Sequence, residues 1–184
     1  MIKIVKDSKP SLRDKSIDVA IPLSKKDEEL LLEMLDYLKK SQDREYCEKH
    51  HLREGVGLAA PQVGKNKRMI VIYYDKLIDE NKKETISLAL VNPIIIAGSV
   101  KKAFLKAGEG CLSVDNPHEG YVYRDFKIVI KAYDAIAKRE VEIAARGYDA
   151  IVLQHEIDHL NGILFYDHIN KKEPFINIDN SVAI

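Results

Sequence analysis

The stretch YDAIVLQHEIDHLNG, residues 148 to 162, constrains the fold more than any other part of the chain. Ile151, Val152, Ile157 and Leu160 give it apolar residues on more than one side at helical spacing. It therefore reads as a helix that other elements cover, with Asp149 as the expected N-cap and Gly162 as the expected C′ stop. The same helix carries His155, Glu156 and His159. Polar groups on a covered helix need partners, and a metal ion provides them. His155 and His159 stand four apart, so they share a face and can converge on one ion. Glu156 lies about 100° round the helix, better placed to reach a water on that ion than to join the ligand row. HExxH is a short signature of hydrolytic metal sites. A surface helix with scattered polar residues gives the same letters, so the rest of the chain has to decide.

The covering elements are mostly strands. RMIVIYY (68–74), LALVNPIII (88–96), KIVIKAYD (127–134) and REVEIAA (139–145) are rich in β-branched and aromatic residues and are punctuated by turns. A first helix fits SKKDEELLLEMLDYLKKSQ, capped by Ser24 with Asp27 at the capping-box position, its stripe formed by Leu31, Met34, Leu35 and Leu38. The charged segment 75–87 reads as a surface loop or ribbon, and FINI in the tail as a short strand. The predicted class is α+β, mostly antiparallel strands packed around a central helix, in one domain over 1–184.

A third metal ligand must come from elsewhere. One zinc-peptidase pattern continues as HExxHxxGxxH. Here Gly162 matches, but Phe165 stands where histidine is needed. Downstream, Glu173 lies in a polar tail, and His168 reads as a surface or packing histidine. CEKHH (47–51) follows a charged helix in a polar stretch, so Cys47 is a poor candidate. Cys111 in GEGCLSVD (108–115) is the best source, flanked by small residues that let backbone approach a ligand. GVGLAAPQVG (55–64) formally matches a dinucleotide fingerprint, but no strand precedes it and Pro61 follows at once. Gly55 and Gly57 instead suit a strand edge left bare for an extended peptide. Gln62 adds a neutral amide near that cleft, or is a surface turn residue.

Charge excludes other classes. Lys+Arg and Asp+Glu are both 29, so the chain lacks the basic balance of a nucleic-acid binder. Charges interrupt the N-terminus where a signal peptide needs an apolar run, and no run approaches a membrane span. The expected compartment is the cytoplasm, where Cys47 and Cys111 stay unpaired.

GVGLAAPQ (55–62), EGCLS (109–113) and QHEIDH (154–159), taken together and in order, resemble the three signature motifs of the peptide deformylase family. The resemblance runs from KDSKPSLR to about FYDHI. The length, the charged segment before GVG and the strand-like tail resemble the type 2 form found largely in Gram-positive bacteria and mycoplasmas. The resemblance implies one divalent metal ion held by Cys111, His155 and His159 with water in the fourth place. Fe2+ is the implied native ion, with Zn2+, Ni2+ or Co2+ able to occupy the site. It implies Glu156 as general base and then acid, with Gln62 and the Leu112 N–H facing the oxyanion. Gly57 and Gly110 would border the bound peptide, and their neighbours Gly55, Val56 and Glu109 belong to the same substrate-binding set. The implied reaction removes formate from N-formyl-methionyl nascent peptides, which brings the ribosome in as a partner, with a monomeric enzyme and no membrane. Tyr148, Ile151 and Val152 precede the histidines on one helix face and are expected to wall a pocket for an unbranched methionine side chain. An HExxH zinc peptidase and a metal-stabilised binding module are the rival readings.

Overall fold

The computed structural model describes residues 2–80 and 82–184. In chain order the elements are α1 (Lys25–Ser41), α2 (Arg44–His50), β1 (Gly57–Ala59), β2 (Met69–Asp79), β3 (Lys82–Gly98) and β4 (Lys102–Phe104). There follow β5 (Arg124–Asp125), β6 (Lys127–Asp134), β7 (Arg139–Arg146), α3 (Tyr148–Leu160) and β8 (Ser181–Ala183). Short 3-10 turns cover Pro10–Arg13, Ala60–Val63 and Phe165–His168. The class is α+β, as expected.

One antiparallel sheet has the order β1-β2-β3-β6-β7. Its centre is covered on both faces, which explains the unbroken apolar run MIVI in β2. Met69 and Val71 face α1, packing with Leu31, Met34, Leu35 and Leu38. Ile70 and Ile72 face α3, packing with Val152, Leu153, Ile157 and Leu160. Further out, Ile128, Ile130 and Ala132 of β6 alternate toward α3 alone. A second sheet, β5-β4-β8, has β4 antiparallel to β5 and parallel to β8. Between Val91 and Ile94 the β3–β6 register shifts, so Pro93 sits at a bulge, where a missing N–H is tolerated. Asn92 there has φ +51°, and its amide exchanges hydrogen bonds with the backbone of Val19 (2.8 and 2.9 Å).

The segment 75–87 is ribbon: β2 and β3 stay paired out to Asp79 and Lys82. Asn81, at its tip, lies outside the described residues. Two expectations are corrected. Asp149 does not cap α3. Gly147, at φ +59°, makes the entry, and the Asp149 carboxylate inside the first turn takes the Tyr74 hydroxyl (2.6 Å) and the Lys76 ammonium instead. FINI is not a strand; the tail strand is β8, further on. Its backbone is engaged otherwise: Ile176 N–H closes a turn on Glu173 and Ile176 O accepts from Tyr123 Oη, while Pro174 O, just before it, accepts from the Tyr121 N–H. Gly162 does stop α3. The Ile163 N–H reaches Asp158 O (3.0 Å) and the Gly162 N–H reaches His159 O (3.3 Å), a Schellman pair with Gly162 at φ +73°. Among the described residues, no helix is long and apolar enough to cross a membrane.

Candidate active site

Helix α3 lies against β1 and β2 and presents His155 and His159 one turn apart, with ring centroids separated by 5.0 Å. Cys111 arrives from the segment between β4 and β5, after a turn at Gly108 (φ +78°). Its Sγ lies 3.3 Å from His159 Nε2. Ligand atoms of Cys111, His155 and His159 all lie within 4.8 Å of one another. Cys111 and His159 are buried and His155 nearly so, and thiolate with two imidazoles is a donor set suited to a divalent transition metal. Glu156 Oε2 and His159 Nδ1 are buried with no hydrogen-bond partner among the described residues, so the surroundings do not satisfy the site by themselves. A closed structural site takes four protein ligands, whereas three belong to catalytic sites. The residues therefore fit a catalytic metal rather than a structural one.

Glu109 fixes the orientation of His155. Its Oε2 meets His155 Nδ1 at 2.7 Å, which leaves Nε2 for a metal. Arg124 grips Glu109 with two prongs, Nε to Oε1 at 2.5 Å and Nη2 to Oε2 at 3.0 Å. Burial alone would raise the Glu109 carboxyl, but hydrogen bonds from His155 and Arg124 bring it down to about 2. Glu156 has no such support. Burial pushes its carboxyl up to about 7, within reach of both protonation states near neutrality.

Gln62 is held from several sides. Its Oε1 accepts from the Ala59 N–H (2.8 Å), so its amide nitrogen faces Cys111 Sγ and Ser113 Oγ, each at 3.3 Å. The Ser113 N–H also reaches Cys111 Sγ, at 3.4 Å. The N-terminal residues tie these pieces together: Val5 N–H donates to Gln62 O (2.8 Å) and Asp7 N–H to Ser113 O (2.9 Å).

A cavity of about 230 Å³ opens beside the trio. Val56, Gly57, Gly110, Leu112, Tyr148, Ile151 and Val152 line it together with Gln62, Glu109, Cys111, His155 and Glu156. Gly55 stands behind it; a Cβ there would come within 2.8 Å of Leu112 Cδ1. Thus the residues singled out from sequence converge on one place. A larger cavity, about 620 Å³, lies across the 109–111 segment, but neither His155, Glu156 nor Gln62 lines it, so it does not hold the chemistry.

The family model described as polypeptide deformylase matches residues 1–175. A peptide deformylase of Oceanobacillus iheyensis is 49% identical over 184 residues, covering 100% of this chain and 98% of the relative. Peptide deformylase 2 of Bacillus subtilis is 44% identical over 184 residues, covering 100% and 97%. The chain belongs to the polypeptide deformylase family. Among solved structures, the deformylase of Ehrlichia chaffeensis superposes with a TM-score of 0.73 at 30% identity, covering 95% of this chain and 90% of that one. That of Thermus thermophilus gives 0.71 at 28%, covering 95% and 89%.

Sequence reasoning missed several residues of this deformylase site. Arg124 is one, because a lone arginine in YRDF carries no local signal of its partner fifteen residues earlier. Leu105, Arg53 and Glu54 also line the smaller cavity. Arg53 was readable in principle, as a cation two residues before the GVG segment. In the structure it donates to the carbonyls of Cys111 (3.1 Å) and Val114 (2.9 Å). Phe165 has a positive role too: it is 3% exposed and its ring stacks on His155, centroids 6.1 Å apart.

Proposed function

We propose that this chain hydrolyses the formamide bond of N-formyl-methionyl nascent peptides, releasing formate and a free α-amino group. The observation that carries this reading is Glu156: a buried carboxyl with an unpartnered oxygen, set between a Cys-His-His trio and an apolar cavity. Cys111, His155 and His159 would hold one divalent ion, Fe2+ in the native enzyme, with Zn2+, Ni2+ or Co2+ as substitutes. When bound, the ion supplies Lewis acidity, polarising a carbonyl and lowering the pKa of water. Glu156 takes the proton of the attacking water and returns it to the departing nitrogen. The C–N bond breaks as the hydroxyl oxygen stays on carbon. Gln62, with its oxygen anchored on Ala59, offers its amide N–H to the developing oxyanion, and the Leu112 N–H offers a second. Val56, Gly57 and Gly110 border the peptide backbone. Tyr148, Ile151 and Val152 receive the methionine side chain, which is flexible enough for a cavity of this size. Because its substrate emerges from the ribosome, the enzyme acts there, in the cytoplasm. The site needs no second chain, which suits a monomer.

Glu156→Gln tests this assignment. It keeps volume and hydrogen-bonding reach but removes proton transfer. Metal content and affinity for formyl-Met-Ala should stay near those of the unaltered enzyme, while the single-turnover rate falls by roughly 10²–10⁴-fold. Loss of metal in step with activity would make Glu156 a ligand, and full activity would remove it from the reaction.

A further inference from the structure

His168 follows the metal helix and has no part in the reaction as derived above. Its surroundings are specific nonetheless. Its Nε2 lies 2.8 Å from Asp158 Oδ2. The same oxygen accepts from Arg124 Nη1, also at 2.8 Å. Arg124 is the residue that grips Glu109, and Glu109 meets Nδ1 of His155. A line of hydrogen bonds thus runs from an exposed histidine on the surface to His155 of the proposed ligand trio. We propose that His168 is a positioning residue for the metal centre, fixing the ring of His155 through Asp158, Arg124 and Glu109. The inference rests on the reading of Cys111, His155 and His159 as the ligand trio.

Arg124, with 3% of its side chain exposed, is a single buried cation facing two carboxylates. Its planar fork commits two N–H groups to Glu109 and one to Asp158. A guanidinium is rigid, so it cannot tilt further toward Asp158 without tilting off Glu109. Asp158 has 17% of its side chain exposed, and the one Arg124 N–H fills only part of its capacity to accept. His168 supplies a further donor: a carboxylate only accepts, so the Nε2 facing it carries the proton. Without that donor Asp158 competes with Glu109 for the guanidinium, and the His155–Glu109 bond loosens. The turn that carries His168 also carries Phe165, whose ring lies nearly parallel to His155, at 17°. One short turn therefore restrains the imidazole twice, on its face and, through the relay, at its edge.

The experiment compares His168→Leu, which keeps bulk but has no donor, with His168→Gln, which keeps an N–H within reach of Asp158. Both are loaded with Co2+, as is the unaltered chain. The measurements are the rate of Co2+ release to a chelator, the visible spectrum of the cobalt form, kcat and KM for formyl-Met-Ala, and the thermal midpoint. The leucine variant should release Co2+ about tenfold faster, the low end for partners of metal-binding histidines. Its cobalt bands should shift and its kcat should fall, with KM unchanged because His168 does not line the methionine cavity. The glutamine variant should recover release rate and spectrum to within about twofold of the unaltered chain. The inference is overturned if the leucine variant keeps its release rate and spectrum, if only its thermal midpoint falls, or if glutamine behaves as leucine does. If the unaltered chain binds no stoichiometric Co2+, the ligand trio is wrong and this inference falls with it.

Discussion

Gly57 shows how one residue can be dictated by another far away in sequence. A Cβ built there would sit 2.3 Å from Glu156 Oε1 and 2.7 Å from its Cδ. The obstacle is the far end of a side chain, so the carboxyl would yield rather than the backbone of β1. Gly57→Ala should therefore bind metal as before but lose on the order of 10²-fold in kcat, as expected for a displaced acid–base group. Metal analysis and steady-state kinetics on one preparation check this; a kcat within about twofold of the unaltered enzyme would show that Glu156 has slack. The glycine itself was legible in the sequence as a bare strand edge, but its opposition to Glu156 was not, because no spacing rule links positions 57 and 156. The two cysteines were separable by their neighbours alone. Cys47 lies on α2 with its Sγ donating to Ser41 O at 3.0 Å, and only Cys111 joins the histidines.

At the level of elements, helix ends carry much of the precision. Gly162 ends α3 in the left-handed region, and a Cβ there would come within 2.3 Å of the Arg13 carbonyl oxygen. Both conformation and packing oppose a side chain, and here the obstacle is backbone. Gly162→Ala should cost at least about 2 kcal/mol of stability in urea denaturation, combining left-handed strain with the displaced segment. A loss under about 0.5 kcal/mol would mean that the Arg13 segment moves freely. This stop was readable from sequence, as were the interior runs of β2, β3, β6 and β7, because β-branched residues and Gly report local preferences. The start of α3 was not. Asp149 has the right chemistry for a cap, but Tyr74 and Lys76 on β2 claim its carboxylate. FINI failed for the same reason: its strand propensity is local, whereas its hydrogen-bond partners are Tyr123 and a turn on Glu173.

At the scale of the whole molecule, the five-stranded sheet has an apolar layer on each side, and the α1 layer is also joined to it by a charge pair. Lys67, just before β2, pairs with Asp27 on α1, whose carboxylate is 9% exposed. Burial would raise that carboxyl, but Lys67 and Ser24 outweigh it and hold it below its usual 3.8. A lowered folded value means that the unfolded chain takes up the proton first. The stabilisation is thus full above about pH 4 and is lost as pH falls through the folded value. Asp27→Asn should be less stable than the unaltered chain at pH 7, and the gap should close as pH drops below 3.8; denaturation curves across that range would show a constant gap if the pair did nothing. The five-stranded sheet ends beside the site at β1. β1 pairs with β2 and, among the described residues, has no strand beyond it. An open edge recognises what every polypeptide has in common, its N–H and C=O groups, and is indifferent to the side chains that vary. A catalyst that bound its peptide along such an edge would treat the proteome as one substrate with a single distinguishing letter, the first, and its breadth would be a property of sheet topology rather than of any loose fit.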